Sequence, residues 1–284
     1  MKASAVYAIA DRLAPTLRRQ WLTAVAAIQD QLSIAILAEA VLRGGNSAPL
    51  NKVINSFPVQ LRGAAATVAR IFEDSAQQAE VEIFKRLRMG GRFDIVNPKA
   101  VDVAARQGAQ LVREVTESTR DAIRAVISRA ITDGIPPREA AKFIRPLVGL
   151  TERQALAVVN YRTSLLGAGG SPTTVQAAAE RYAAKLQRQR AVTIARTETV
   201  RASSAGQQAA WDSARADGLL PSNTLKEWQA AEDERLCPIC SALDGQKVPL
   251  NDAFQSSNGA LDGPPAHQQC RCRTSLVFPK RETA

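Results

Sequence analysis

The chain has 284 residues, of which 45% are hydrophobic and 23% are charged, and its formal net charge at pH 7 is +10. This length suffices for one large core or for two domains, and the aromatic share of 5%, beside many alanines, favours helices over sheets. Residues 1–20 lack the pattern of a secretory signal. We therefore expect a protein made in the cytoplasm, where clustered cysteines indicate a metal site before a disulfide.

The positive charge is spread unevenly along the chain. Residues 224–284 carry 7 Lys and Arg against 8 Asp and Glu, which leaves a net charge of +11 on residues 1–223. A basic surface favours nucleic acid or an acidic protein as a partner. The basic residues form no long run, so solvated helix faces account for them equally well.

Residues 1–132 are predicted to form long helices. The apolar stretch Trp21–Leu42 has the length of a membrane span, but four polar residues interrupt it. We predict one buried helix there, ending at Gly44-Gly45, and no membrane partner. After a loop at residues 46–63, a second helix is expected at about Ala64–Met89 and a third at about Lys99–Thr132. Each carries one apolar stripe, which needs a partner to bury it.

Residues 133–223 are predicted to form a helical middle region. Thr151 and Gln154 have the spacing of a capping box at a helix start. Glu198 lies beside the apolar face of the last helix, so we predict a buried ion pair with Arg196 or Arg201. The predicted elements are a turn at Asp133–Pro137, a helix at Arg138–Leu147, a helix from Thr151, a loop at Leu166–Pro172 and a helix at Thr173–Asp217 that allows one break.

Residues 224–284 differ from the rest of the chain in sequence pattern and are predicted to form a small α+β module. Residues 225–231 are expected to form a short strand or an extended entry segment, and residues 273–278 a strand, with a turn after the first cysteine pair and a loop at residues 251–266. A module of this size lacks the apolar mass for a stable core. We therefore expect a cross-link or a bound ion to hold it together.

All four cysteines and the one histidine of the chain lie in this module. Cys237 and Cys240 form a C-x2-C pair, whose two thiolates can face one ion. His267, Cys270 and Cys272 follow in an H-x2-C-x-C pattern, and two of these three would complete a tetrahedral site. Sulfur-rich ligation with no open position is typical of a structural zinc ion.

Other chemistries fit the sequence less well. A thioredoxin-like disulfide at Cys237–Cys240 requires a βαβ context that the sequence does not predict. A zinc deaminase requires an H-x-E motif before the cysteine pair, and a Ser–His–Asp system would have only His267 available. The acidic run Glu232–Glu234 is more typical of a solvated surface than of acid–base catalysis. We therefore predict that the chain is not an enzyme.

Four groups of residues follow one another along the chain: Arg196, Thr197 and Glu198, then Trp228 and Asp233, then Asp244 and Gly245, and finally Pro264–Cys272 in the pattern P-P-x-H-x-x-C-R-C. In this order, they resemble the motifs of the Mu F-like minor head proteins, also called phage head morphogenesis proteins, of tailed bacteriophages. The resemblance covers about Ile135–Leu276.

The resemblance implies a component of the virion that associates with the portal vertex or the head interior and acts in head morphogenesis or DNA delivery. Portal protein, major capsid protein and packaged double-stranded DNA are the implied partners.

The expected fold is mainly α: an elongated helical region at 1–132, a helical middle at 133–223 and a zinc-stapled α+β module at 224–284. The alternative to a function in the phage head is that of a DNA-binding protein that uses basic helices and a structural zinc module.

Overall fold

The structure is a computed structural model that describes residues 5–87, 98–231, 234 and 236–278. These residues are mainly helical, and the strands lie in the C-terminal part, as predicted. The helices are α1 (Ala5–Gln31), α2 (Ile34–Leu42), α3 (Ala48–Ile54), α4 (Phe57–Gln60), α5 (Arg62–Leu87), α6 (Pro98–Thr132), α7 (Pro137–Ile144), α8 (Glu152–Gly167), α9 (Pro172–Ala216) and α10 (Pro238–Leu243), with a 3₁₀ turn at Arg145–Leu147. The strands are β1 (Leu225–Gln229), β2 (Lys247–Pro249), β3 (Phe254–Ser256), β4 (Gly259–Leu261) and β5 (Arg273–Val277).

The prediction of one helix over Trp21–Leu42 is wrong, because α1 and α2 divide that stretch. Ser33 separates them in an extended conformation, and its side chain accepts a hydrogen bond from the N–H of Ile36. A capping serine thus starts a new helix within a continuous apolar sequence. The predicted end is confirmed: Gly45 has φ +87° and donates its N–H to the carbonyl of Ala40.

The prediction of a loop at residues 46–63 is also wrong, because α3, α4 and the start of α5 occupy this segment. The Ser47 side chain caps α3 by accepting a hydrogen bond from the N–H of Leu50. Four apolar residues at three- and four-residue steps are buried, which is a helical pattern. They are Leu50, Ile54, Phe57 and Leu61. The prolines and polar residues between them conceal this pattern in the sequence.

The later helices agree with the sequence. α5 and α6 begin within two residues of the predicted positions, and Met89, the predicted end of the second helix, lies outside the described residues. α8 opens with the predicted capping box, in which the Thr151 side chain accepts the N–H of Gln154 and the Gln154 side chain accepts the N–H of Thr151. α9 runs without a break to Ala216 and is followed by Gly218, with φ +71°.

The C-terminal module contains two small antiparallel sheets. In the first sheet, β1 lies between β2 and β5, which confirms the two predicted strands. Lys226 and Trp228 are the buried residues of β1. The second sheet is a hairpin of β3 and β4, where the sequence predicted a loop at residues 251–266. Phe254 of this hairpin is buried against the indole of Trp228, with ring centroids 5.2 Å apart.

The chain forms two compact units. The first contains residues 1–17, 66–108 and 193–284, and the second contains residues 18–65 and 109–192. Four helices, α1, α5, α6 and α9, contribute residues to both units. The predicted division at residues 132 and 223 follows the order of the sequence and stays a prediction.

Each unit has a point where packing requires a glycine. In the first unit, a Cβ at Gly206 of α9 would overlap the carbonyl oxygen of Phe72 in α5. Nearby, the buried side chains of Ser75 and Ser203 share a hydrogen bond of 3.0 Å. In the second unit, Gly149 has φ +80° and lies against Val25, where a Cβ would approach within 2.6 Å of the side chain.

Among the described helices, none alone is both long enough and apolar enough to cross a membrane. α1 and α2 together meet the length and composition, but they are bent by 74° relative to each other.

Candidate metal centre

Cys237 and Cys240 are placed by the start of α10. Cys237 is the N-cap residue, with φ −88° and ψ 159°, and Pro238 occupies the first helical turn. The Cys237 sulfur accepts a hydrogen bond from the N–H of Cys240 at 3.4 Å. The C-x2-C pair therefore lies at a helix N-terminus, and both of its sulfur atoms lie within 3.2 Å of His267 Nε2.

The second group of donors lies on the segment just before β5. Gln269 has φ +61°, a left-handed conformation that is uncommon for a residue other than glycine. Its N–H donates to the Thr197 hydroxyl at 3.0 Å, and its side-chain amide donates to the Thr193 hydroxyl at 2.7 Å. Two threonines of α9 therefore fix the bend that carries His267 and Cys270.

The five predicted donors lie together. His267 Nε2 is 3.2 Å from Cys237 Sγ and 3.1 Å from Cys240 Sγ. Cys240 Sγ is 3.8 Å from Cys270 Sγ. The donor atoms form two overlapping triples, each within 4.8 Å, and Cys240 belongs to both. The triples are Cys237, Cys240 and His267, and Cys240, Cys270 and Cys272.

The sulfur–sulfur distance suits a tetrahedral ion. Zinc–sulfur bonds of about 2.3 Å place two sulfur ligands about 3.8 Å apart, which is the separation of Cys240 and Cys270. His267 Nδ1 lies 2.8 Å from the carbonyl oxygen of Gln268, so Nδ1–H donates there and the Nε2 lone pair is left for a ligand. The four cysteines are free thiols, and the cluster could therefore bind a metal ion.

The thiols differ in acidity. A hydrogen bond from Cys272 lowers the pKa of Cys270 to about 5. The same contact and burial raise the pKa of Cys272, while burial raises the pKa of Cys240 to about 12. Hydrogen bonds from the N–H and side chain of Cys240 outweigh burial and lower the pKa of Cys237. The cluster therefore has a more acidic thiol at Cys270 than at Cys240 or Cys272, and an ion that binds a protonated thiol must displace its proton.

A buried apolar shell surrounds the cluster. It includes Trp228, Leu243 and Phe254, together with three of the cysteines themselves. Cys240, Cys270 and Cys272 are at most 4% exposed, whereas Cys237 and His267 are partly accessible. Among the described residues of the cluster, the side accessible to solvent is therefore that of Cys237 and His267.

In the comparison with known protein families, the model for phage Mu protein F-like proteins matches residues 121–275. This match covers more than half of the chain and includes all five donors. The chain belongs to the phage Mu protein F-like family. No curated protein and no solved structure gives a significant match. The Mu F-like family is a family of structural phage head proteins and not of known enzymes, so membership implies a minor head protein and a place in the virion.

The Mu F-like match begins at residue 121, inside α6. It therefore includes the end of the third long helix, which the sequence resemblance left outside. Of the motif residues, Asp244 accepts the N–H of Ala230 at 2.7 Å, and Gly245 donates its N–H to the carbonyl of Trp228. Asp233 lies outside the described residues, as does Glu232.

The predicted ion pair of Glu198 is confirmed, with Arg201 as its partner. Glu198 is 5% exposed, and its Oε1 lies 2.6 Å from Arg201 Nη1. The neighbouring Thr197 anchors Gln269. The Arg-Thr-Glu step of this Mu F-like protein therefore has two structural roles: its carboxylate forms the ion pair, and its hydroxyl fixes the donor-bearing segment.

Sequence reasoning missed Lys226, which connects the module to α9. Its side chain is buried, and Nζ donates to the carbonyl of Asp262 at 2.9 Å and to the Gln208 side chain at 3.4 Å. Gln208 in turn donates to the carbonyl of Leu250 at 3.0 Å. The available signal was the alternation of β1, which places Lys226 on the same face as the buried Trp228.

Proposed function

We propose that this Mu F-like protein is a structural minor head protein that associates with the portal or the head interior and acts in head morphogenesis or DNA delivery. The observation that carries the proposal is the convergence of five metal donors, from two segments about thirty residues apart, inside the part of the chain that matches the family. Such a cluster gives the module a fixed shape that another head component can recognise.

The proposed ion is one structural zinc. Cys237 and Cys240 would supply two ligands, and two of His267, Cys270 and Cys272 would supply the others. Zinc favours thiolate and imidazole ligands in a closed tetrahedral site. When bound, it would neutralise the thiolates and hold α10 against the segment that precedes β5. Four protein ligands leave no position for substrate, which supports a structural role over a catalytic one.

The proposed partners are the portal protein and the major capsid protein, with the assembled virion as the site of action after synthesis in the host cytoplasm. Family membership supports this assignment. The test is co-expression of the full chain with portal protein and, separately, with major capsid protein, followed by affinity purification and sedimentation. Co-sedimentation of the chain with portal rings or head particles is the expected result. Failure to associate with either would refute the proposal.

The metal assignment has its own test. Metal analysis of the purified full chain should give about one zinc per chain, since apparent binding energies of structural zinc are about 10–16 kcal/mol. Less than about half an equivalent, with Cys237 and Cys240 oxidised in a reducing preparation, would contradict the site.

A second candidate is a DNA-binding protein that uses its basic helices. The excess of positive charge on residues 1–223 favours it. Tight DNA binding that falls steeply between low and moderate salt, without association with portal or heads, would favour this function over the first.

A further inference from the structure

Almost all of the net positive charge lies in the second compact unit. Its residues, 18–65 and 109–192, contain 18 Lys and Arg and 9 Asp and Glu, a net charge of +9 within the chain total of +10. The first unit, which contains the metal cluster, is therefore close to neutral. A polyanion would be attracted chiefly to the second unit.

A groove between α8 and α9 lies within this basic unit. It has a volume of about 450 Å³. The rings of Tyr161 and Tyr182 meet edge to face, with centroids 5.2 Å apart and planes at 67°. The lining residues are Ala157, Tyr161, Ala178, Arg181, Tyr182 and Lys185. No acidic side chain lines the groove among the described residues.

Two cations line the groove, and two more lie one helical turn beyond lining residues on the same helices. Arg181 and Lys185 line it, Arg153 lies one turn before Ala157 on α8, and Arg188 lies one turn after Lys185 on α9. All four are exposed. Within residues 5–87, 98–231, 234 and 236–278, none of the four forms an ion pair with a carboxylate. Their charge is therefore available to a ligand.

The cations on α9 form a row. Arg181, Lys185 and Arg188 are spaced at four and three residues, so they follow one face of the helix over about 10 Å. The tyrosine hydroxyls between the two helices add neutral hydrogen-bond donors. A ligand with repeated negative charges along its length matches this row better than a single small anion does.

We propose that the groove between α8 and α9 is a binding site for the phosphate backbone of double-stranded DNA. Protein–protein interfaces have an apolar centre, whereas the apolar groups of this groove are two alanine methyls and two tyrosine rings. Protein–DNA interfaces are more polar and more positive, as this groove is. The inference rests on the proposed function, because a protein of the phage head meets packaged DNA.

The test is the salt dependence of DNA binding by the purified full chain. Fluorescence anisotropy with a short labelled duplex gives the slope of log K against log salt concentration for wild type and for the double variant Arg181→Gln, Lys185→Gln. Each phosphate contact contributes about 0.9 to this slope, so the variant should reduce it by about 1.8. Unchanged circular dichroism would show that the helices are intact.

The matched control is Lys52→Gln, Arg62→Gln. It removes one lysine and one arginine from exposed positions of the same unit, outside the groove. The control should change the slope by less than half as much. Equal changes in the two variants, or no binding of the duplex by wild type at low salt, would overturn the proposal. Competition by polyglutamate as strong as that by the duplex would also overturn it and would assign the groove to an acidic protein.

The test of DNA binding by the groove and the test of the proposed function can fail independently. The DNA assay uses the purified chain without portal or capsid protein, so its failure leaves head association untouched. A chain that binds duplex through the groove but joins no head particle would count against the proposed function alone.

Discussion

The approach of α9 to α5 makes Gly206 a sensitive position. A Cβ there would overlap the carbonyl oxygen of Phe72 and lie 3.1 Å from the nitrogen of Ala76. Both are backbone atoms of a helix, so they cannot rotate away as a side chain does. The substitution Gly206→Ala would therefore push α9 away from α5 and disturb the buried pair Ser75–Ser203.

The stability that Gly206→Ala would lose can be estimated from two opposing effects. Overpacking against rigid atoms destabilises by about 3 kcal/mol, at the upper end of the usual range. Replacing glycine by alanine inside a helix stabilises the helix by about 1 kcal/mol, because alanine has the higher helix propensity. The net loss of about 2 kcal/mol corresponds to a decrease in Tm of about 4–8 °C for a unit of this size.

The assay is thermal unfolding followed by far-UV circular dichroism. The matched control is Gly167→Ala at the last residue of α8, where an added Cβ would meet no atom within 4 Å. The control should be as stable as wild type or slightly more stable, because it gains propensity without a clash. If Gly206→Ala were as stable as the control, the packing argument for α5 and α9 would be refuted.

Three further predictions concern the metal cluster and one partly buried carboxylate. Cys240→Ser should abolish zinc binding, because Cys240 belongs to both donor triples. Limited proteolysis should then cleave residues 236–278, while the helical circular dichroism persists. A wild-type cleavage pattern would contradict the proposed role of the ion. Thr197→Val removes the acceptor of the Gln269 N–H and should weaken zinc affinity by about 10–100-fold, as measured by chelator competition. Unchanged affinity would show that the bend at Gln269 needs no anchor. Burial raises the pKa of Glu80 from 4.5 to about 7, so the folded state binds this proton more tightly than the unfolded state does. The charged carboxylate therefore destabilises the fold increasingly as the pH rises from 4.5 to about 7, and fully above that. Glu80→Gln should therefore raise Tm at pH 8 and lose this advantage as the pH falls toward 4.5, whereas a Tm difference that does not change with pH would disprove the assignment.

Features that depend on neighbouring residues could be predicted from the sequence. The Thr151–Gln154 capping box spans one helical turn, and so does the ion pair of Glu198 and Arg201. The five donors could be predicted because C-x2-C and H-x2-C-x-C are short patterns that are typical of metal ligands. In each case the geometry follows from local backbone structure.

Features that depend on tertiary contacts could not be predicted. Gln269 bonds to Thr193 and Thr197, 76 and 72 residues away, and this pairing exists only once α9 faces the module. The groove at Tyr161 likewise needs α8 beside α9. The break at Ser33 was missed for a different reason, since average apolarity along Trp21–Leu42 conceals a single capping residue.

The discontinuous make-up of the first compact unit has a practical consequence for recombinant fragments. A protein trimmed to residues 121–275, the stretch recognised by family comparison, would lack both α1 and α5. Ala210 would lose its buried neighbours Val6, Ala76 and Ala79, and the N–H of Thr274 would lose the Tyr7 hydroxyl that accepts it. The trimmed protein would expose apolar surface and tend to aggregate, so crystallisation and partner screening should start from the entire 284-residue polypeptide.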